Sequence, residues 1–207
     1  APFFPEYRVW VEQAKAELLV VPAETENFQI YFEELKKLLS PKTKGIIINS
    51  PNNPSGVVYS EETIKRLAAL LEEKQKEYGT TIYLISDEPY REIVYDNIEV
   101  PYVPKYYPNT MVCYSYSESL SLPGERIGYI LTPDEVDESQ RLRAAIAGAG
   151  RALGYVCAPV LFQKAIARCI DTPTDIRAYK SNRDLLYNGL VSLGYECVRP
   201  QGAFYLF

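Results

Sequence analysis

The chain has 207 residues, 47% hydrophobic and 24% charged, a balance that suits one large globular domain or one domain with the start of a second. A net charge of −5 speaks against nucleic acid as a partner, because phosphate backbones need a basic face. Histidine is absent, which excludes imidazole triads, histidine metal ligands and imidazole acid–base chemistry together.

The N-terminal residues Ala1-Pro2-Phe3-Phe4-Pro5-Glu6 lack the basic and apolar regions of a signal peptide, and the missing initial Met reads as a cut or processed start. Leu18–Val21 is a short β-favouring run. Phe28–Leu39 carries apolar residues at helical spacing (Ile30, Phe32, Leu35, Leu38, Leu39) and stops at Pro41. Ile46–Asn49 is a continuous apolar run, as expected of a buried parallel strand. Ser60 then caps a helix predicted to run to about Tyr78, with Glu61 and Glu62 at the positive end of its dipole and Gly79 as its stop. Ile82–Ser86, Met111–Ser115 and Ile127–Leu131 are further strands by composition and bounding turns. Beyond Pro133 the pattern is helical, over Glu135–Ala147, Pro159–Ile170 and Asp175–Leu193, before a β-like ending from Tyr195–Val198 to Ala203–Phe207. Alternating strands and helices predict an α/β fold, a mainly parallel sheet with helices on both faces. No apolar run approaches the ~20 residues that span a bilayer. Cys113, Cys157, Cys169 and Cys197 form no CxxC pair, so neither a metal site nor a disulfide framework is expected; they read as reduced thiols of a cytoplasmic protein.

Open α/β sheets bind ligands at the carboxyl ends of their strands, and three strands here run into polar, turn-rich segments. The first is Asn49-Ser50-Pro51-Asn52-Asn53-Pro54-Ser55-Gly56, stiffened by two prolines and offering amide donors and acceptors. The second is Ser86-Asp87-Glu88-Pro89-Tyr90; an Asp directly after a buried strand is costly unless a cation pairs with it. The third, Ser115 to Tyr129, sets several hydroxyls and Arg126 around a Pro-Gly turn, chemistry that suits a phosphate. Taken singly, these segments equally describe a plain turn, a helix-capping Asp and a solvated loop. Gly148-Ala149-Gly150-Arg151-Ala152-Leu153-Gly154 lacks the strand that a nucleotide-binding glycine loop requires, and small-residue packing between helices is its better explanation. Five tyrosines between Tyr90 and Tyr107 are expected to line a pocket or a subunit contact.

In order and spacing, the three segments resemble the cofactor-binding series of class I/II (fold-type I) aminotransferases of the aspartate/aromatic type, enzymes that use pyridoxal phosphate (PLP). The resemblance implies that Asn53 and Tyr90 bond the cofactor's ring hydroxyl and that Asp87 pairs with its pyridinium nitrogen. It likewise implies that Ser115 and Arg126 hold the phosphate with Ser117 as a lesser contributor, and that Phe4 stacks on the ring. It also implies a large-domain portion over 1–150, a helical connection over 151–194 and, over 195–207, the start of a small α+β domain.

Where the motif has its Schiff-base lysine, this chain has Glu118. A carboxylate forms no imine, so negligible transamination is expected. By the same resemblance the substrates are an amino acid and a 2-oxo acid, the cofactor is PLP or pyridoxamine phosphate, and the partner is a second copy or a complementing chain. The family's glycine-rich phosphate loop and its substrate-clamping arginine have no counterpart among these residues. The alternatives are a non-catalytic or engineered scaffold that keeps this fold, and another fold-type I enzyme such as a lyase or decarboxylase.

Overall fold

The structure, a computed structural model, describes residues 2–24 and 26–207. Two helices, α1 (Glu6–Gln13) and α2 (Phe32–Leu38), precede strand β1 (Gly45–Asn49) and the long helix α3 (Glu61–Tyr78). Strands β2 (Tyr83–Asp87) and β3 (Thr110–Ser115) follow, then the single turn α4 (Tyr116–Ser119) and strand β4 (Gly128–Leu131). Helices α5 (Ser139–Ala152), α6 (Val160–Cys169) and α7 (Arg177–Ser192) complete the order.

The four strands lie side by side in chain order, β1–β2 and β2–β3 parallel and β3–β4 antiparallel. This is the mainly parallel α/β sheet that the alternation predicts. Helix α3 starts and stops where its sequence says. Ser60 Oγ accepts the Thr63 amide at 3.0 Å, and Gly79 takes a left-handed φ of 65° that closes the last turn.

Burial across the sheet is one-sided. Ile48, Leu84 and Val112 share the buried face, and Phe32, Leu35, Ile64, Leu67 and Leu71 of α2 and α3 pack into the core beside it. The alternate positions, Ile47, Ile85 and Met111, are only half-buried. The expected cover of helices on both faces is thus full on one face and partial on the other.

Several local expectations differ from the structure. The helix read over Phe28–Leu39 begins only at Phe32, because Phe28 adopts a φ of 52°, which no α-helix allows. Leu18–Val21 lies outside the sheet; Val21 packs its side chain on the core instead. The helix expected from Glu135 begins at Ser139, after Glu138 takes a left-handed φ of 52°. The β-like ending forms no strand; its backbone contacts include an isolated bridge from Gly202 to Val94 and a Val198 N–H bond to Phe207 O. β-propensity yields a strand only where a partner ladder exists.

The glycines of α5 have open space around them or, at Gly150, ordinary contact with the Tyr155 carbonyl, and no residue of α5 is buried. The expected close helix packing there is absent among the described residues. Of the five tyrosines expected to line a pocket or a subunit contact, Tyr90, Tyr95 and Tyr107 are buried, with Tyr95 bordering a hollow, and Tyr102 is exposed. All four cysteines are free, and no helix among the described residues is long and apolar enough to cross a membrane.

Candidate cofactor site

Register brings the three polar segments to one edge. Asn49 at the end of β1 lies beside Asp87 at the end of β2, Asp87 beside Cys113, and Ser115 at the end of β3 beside Gly128 at the start of β4. Asn49, Asp87 and Ser115 therefore leave the sheet together, and the antiparallel return of β4 brings the Arg126 turn to the same edge. Gly128 permits the close approach: a Cβ there would lie 2.3 Å from the Tyr114 carbonyl oxygen.

A run of contacts links four of the predicted residues, Phe4, Asp87, Asn53 and Tyr90. The Phe4 ring packs edge-on against Tyr7 at 5.7 Å, and the Tyr7 hydroxyl donates a short hydrogen bond to Asp87 Oδ2. Asn49 Nδ2 donates to the Asp87 backbone carbonyl at 2.9 Å, while Asn49 Oδ1 accepts the Asn53 amide at 2.6 Å. Asn53 Nδ2 then donates to the Tyr205 hydroxyl at 3.1 Å, which lies 2.7 Å from the Tyr90 hydroxyl. Two of these links, Tyr7 and Tyr205, are functional candidates that the motif reading passes over. Tyr7 lies three residues after Phe4, one helical turn on, and that spacing could have found it. Nothing local could have placed Tyr205, which meets Asn53 across 152 positions.

The Asp87 carboxylate is unusual for its surroundings. Burial raises its pKa above the ordinary value of 3.8, and only the Tyr7 bond works the other way. Its neighbour Glu88 is more deeply buried but has a cation, Arg91, at 2.6 Å, and a second bond from Ser86. Among the described residues no cation pairs with Asp87. Burial first, then the Asp87 charge, likewise pushes the Tyr7 hydroxyl far above the ordinary phenol range, so Tyr7 remains a donor at any working pH.

Removing that donor has a calculable effect. Tyr7→Phe should cost roughly 1.5–3 kcal/mol of stability at neutral pH, the range for a hydrogen bond to a charged group, and should raise the Asp87 pKa further. Urea denaturation of the two proteins measures the first, and an unchanged midpoint would contradict it.

Ser115 and Ser117 are brought together: their hydroxyls are 2.6 Å apart, and Ser115 caps α4 by accepting the Ser117 amide at 3.1 Å. Arg126 is exposed, with a left-handed φ of 51°, and its guanidinium bonds back to the Pro123 carbonyl at 2.7 Å. No hydrogen bond joins it to the serines, and among the described residues no carboxylate neutralises it. Glu118, on α4, is half-buried; burial raises its pKa, and it has no hydrogen bond or ion pair among the described residues. Burial, the Tyr205 contact and the nearby Glu118 charge all raise the Tyr90 pKa.

A family model described as "Aminotransferase class I and II" matches residues 1–207. The chain belongs to the class I and II aminotransferases. It is 32% identical to a probable aspartate aminotransferase of Methanocaldococcus jannaschii, covering 100% of this chain and 54% of that protein. It is 30% identical to a probable N-acetyl-LL-diaminopimelate aminotransferase of Bacillus subtilis, covering 100% and 50%. Among solved structures, an amino transferase from Eubacterium rectale superposes with a TM-score of 0.97 at 65% identity, covering 100% of this chain and 52% of that one. A Thermus thermophilus aspartate aminotransferase mutant superposes at 0.84 and 29% identity. The chain spans about half the length of the curated relatives it matches.

Aminotransferases of this family depend on PLP, and the residues present fit that group. A half-buried carboxylate without a cation is what a protonated ring nitrogen would complete. Two adjacent serine hydroxyls suit a phosphate, and Asn53 and Tyr90 already converge on one aromatic hydroxyl.

Proposed function

We propose that this chain carries the cofactor-binding core of an aminotransferase acting on an amino acid and a 2-oxo acid, with Glu118 in place of the amine that the reaction needs. The observation that carries the reading is Asp87: a half-buried carboxylate at a strand end, oriented by Tyr7 from another element and lacking a cation. In this reading Asp87 holds the ring nitrogen protonated, Asn53 and Tyr90 donate to the ring hydroxyl, Ser115, Ser117 and Arg126 take the phosphate, and Phe4 lies against the ring. Bound there, PLP supplies the electron sink for proton removal at an amino acid's Cα. Residues 1–150 belong to the large domain, 151–194 connect, and 195–207 lead into a small domain. A second copy of the chain or a complementing chain covers the half-buried sheet face.

Glu118 changes what the site prefers. A carboxylate cannot condense with an aldehyde, but it pairs with an ammonium, so pyridoxamine phosphate should bind more tightly than PLP, by about tenfold for one charge-assisted hydrogen bond at a half-exposed site. Only the ionised form of Glu118 can pair. The preference therefore fades as pH falls through the Glu118 pKa, which burial holds above its ordinary 4.5. The single tryptophan, Trp10, packs 5.9 Å from the Tyr7 ring, so its fluorescence reports ligand arrival at Asp87. Titrations of both cofactor forms at several pH values test the reading. Tighter binding of PLP would contradict the Glu118 assignment, and no binding of either form would end the cofactor reading.

A further inference from the structure

Tyr205 stands where the cofactor reading expects a ligand. Its hydroxyl receives the Asn53 amide at 3.1 Å and shares a hydrogen bond with Tyr90 at 2.7 Å, so both side chains assigned to the ring hydroxyl already hold an aromatic hydroxyl, one supplied by this chain. The match is chemical as well as positional, because tyrosine and a 3-hydroxypyridine each present an sp²-bound O–H that donates once and accepts from neighbouring donors. Tyr90 is buried and Asn53 half-buried, so their polar atoms need a partner while no ligand is bound. The Tyr205 ring is held edge-on by Tyr90 at 5.6 Å, and it also borders a hollow of about 300 Å³ lined by Tyr95, Tyr179, Asn182, Leu186 and Phe204.

We infer that Tyr205 is a built-in competitor: its hydroxyl satisfies Asn53 and Tyr90 in the ligand-free chain, and a hydroxypyridine phosphate binds by displacing it towards the hollow. This rests on the cofactor reading above. Ligand affinity is then set partly by how firmly the chain holds its own phenol, which makes Tyr205 a specificity-determining residue for the ring hydroxyl.

The test compares wild type and Tyr205→Phe, each titrated with pyridoxamine phosphate and with its analogue lacking the ring hydroxyl, followed by Trp10 fluorescence. Neither ligand needs a lysine, and both carry the same ammonium, so the Glu118 contribution cancels between them. Loss of one competing hydrogen bond should tighten pyridoxamine phosphate roughly fivefold and leave the deoxy analogue unchanged. An equal gain for both ligands would mean general loosening and would overturn the inference. Unchanged or weaker binding of pyridoxamine phosphate by the phenylalanine variant would overturn it too, leaving the cofactor reading intact. Binding to neither protein would remove both.

Discussion

Glu118→Lys should acquire a visible absorption band on mixing with PLP, whereas wild type should show none. The position lies on α4, directly after the Ser115 cap and within electrostatic range of Tyr90. An amine there meets a site whose other groups are already arranged, and the half-buried setting that raises the Glu118 pKa lowers that of a lysine. Both effects favour covalent capture of an aldehyde, since the neutral amine is the nucleophile. Proton transfer by a positioned side chain is worth about 10²–10⁴-fold. Half-transamination by the lysine variant should exceed wild type by at least that much, measured as loss of the visible band on adding an amino acid. Wild-type rates within a few-fold of the variant would remove the claim that Glu118 blocks the reaction.

The second large effect is expected at Asp87. Asp87→Asn keeps the shape and the Tyr7 contact but removes the charge, so pyridoxamine phosphate should bind about 10–100-fold more weakly, the value of a charge-assisted hydrogen bond. The ligand-free protein should respond in the opposite sense. Burial raises the Asp87 pKa, so the folded state prefers the neutral acid, and this residue makes the fold less stable as pH rises from 3.8 through the raised value. At pH 7 the asparagine variant escapes that penalty and should be at least as stable as wild type. Weaker ligand binding combined with undiminished stability is a split that general damage would not produce. Urea denaturation and Trp10 titration of the same preparations give both halves, and equal affinity in the two proteins would take the ring nitrogen away from Asp87.

These two predictions rest on features of different legibility. The three strand-end segments stand out because their chemistry is local, a hydrophobic run followed by polar residues and turn formers within a few positions, and the resemblance to the family then picks Asp87, Asn53, Tyr90, Ser115 and Arg126 within them. The ends of α3 were equally plain, since a serine cap and a left-handed glycine act within one turn of the helix. The β-favouring run Leu18–Val21 and the β-like ending from Tyr195–Val198 to Ala203–Phe207 form no strand for the converse reason, because pairing depends on what lies alongside. The placing of the tyrosines between Tyr90 and Tyr107 depends on the same thing: each has an apolar ring and a polar tip, and whether the ring enters the core is set by distant partners, such as Ala203, whose carbonyl accepts the Tyr95 hydroxyl.

Local pattern was enough to establish an α/β chain with a mainly parallel sheet and to mark three strand ends as chemical, because propensity, capping and alternation are properties of neighbouring residues. The Tyr7 donor on Asp87, the Asn49 bridge between β1 and β2, and the Tyr205 hydroxyl between Asn53 and Tyr90 emerged only once the chain was folded. Those contacts span 80, 38 and 152 positions respectively. Such pairs form when sheet register and packing bring remote segments to one edge, and no short stretch of sequence records that meeting.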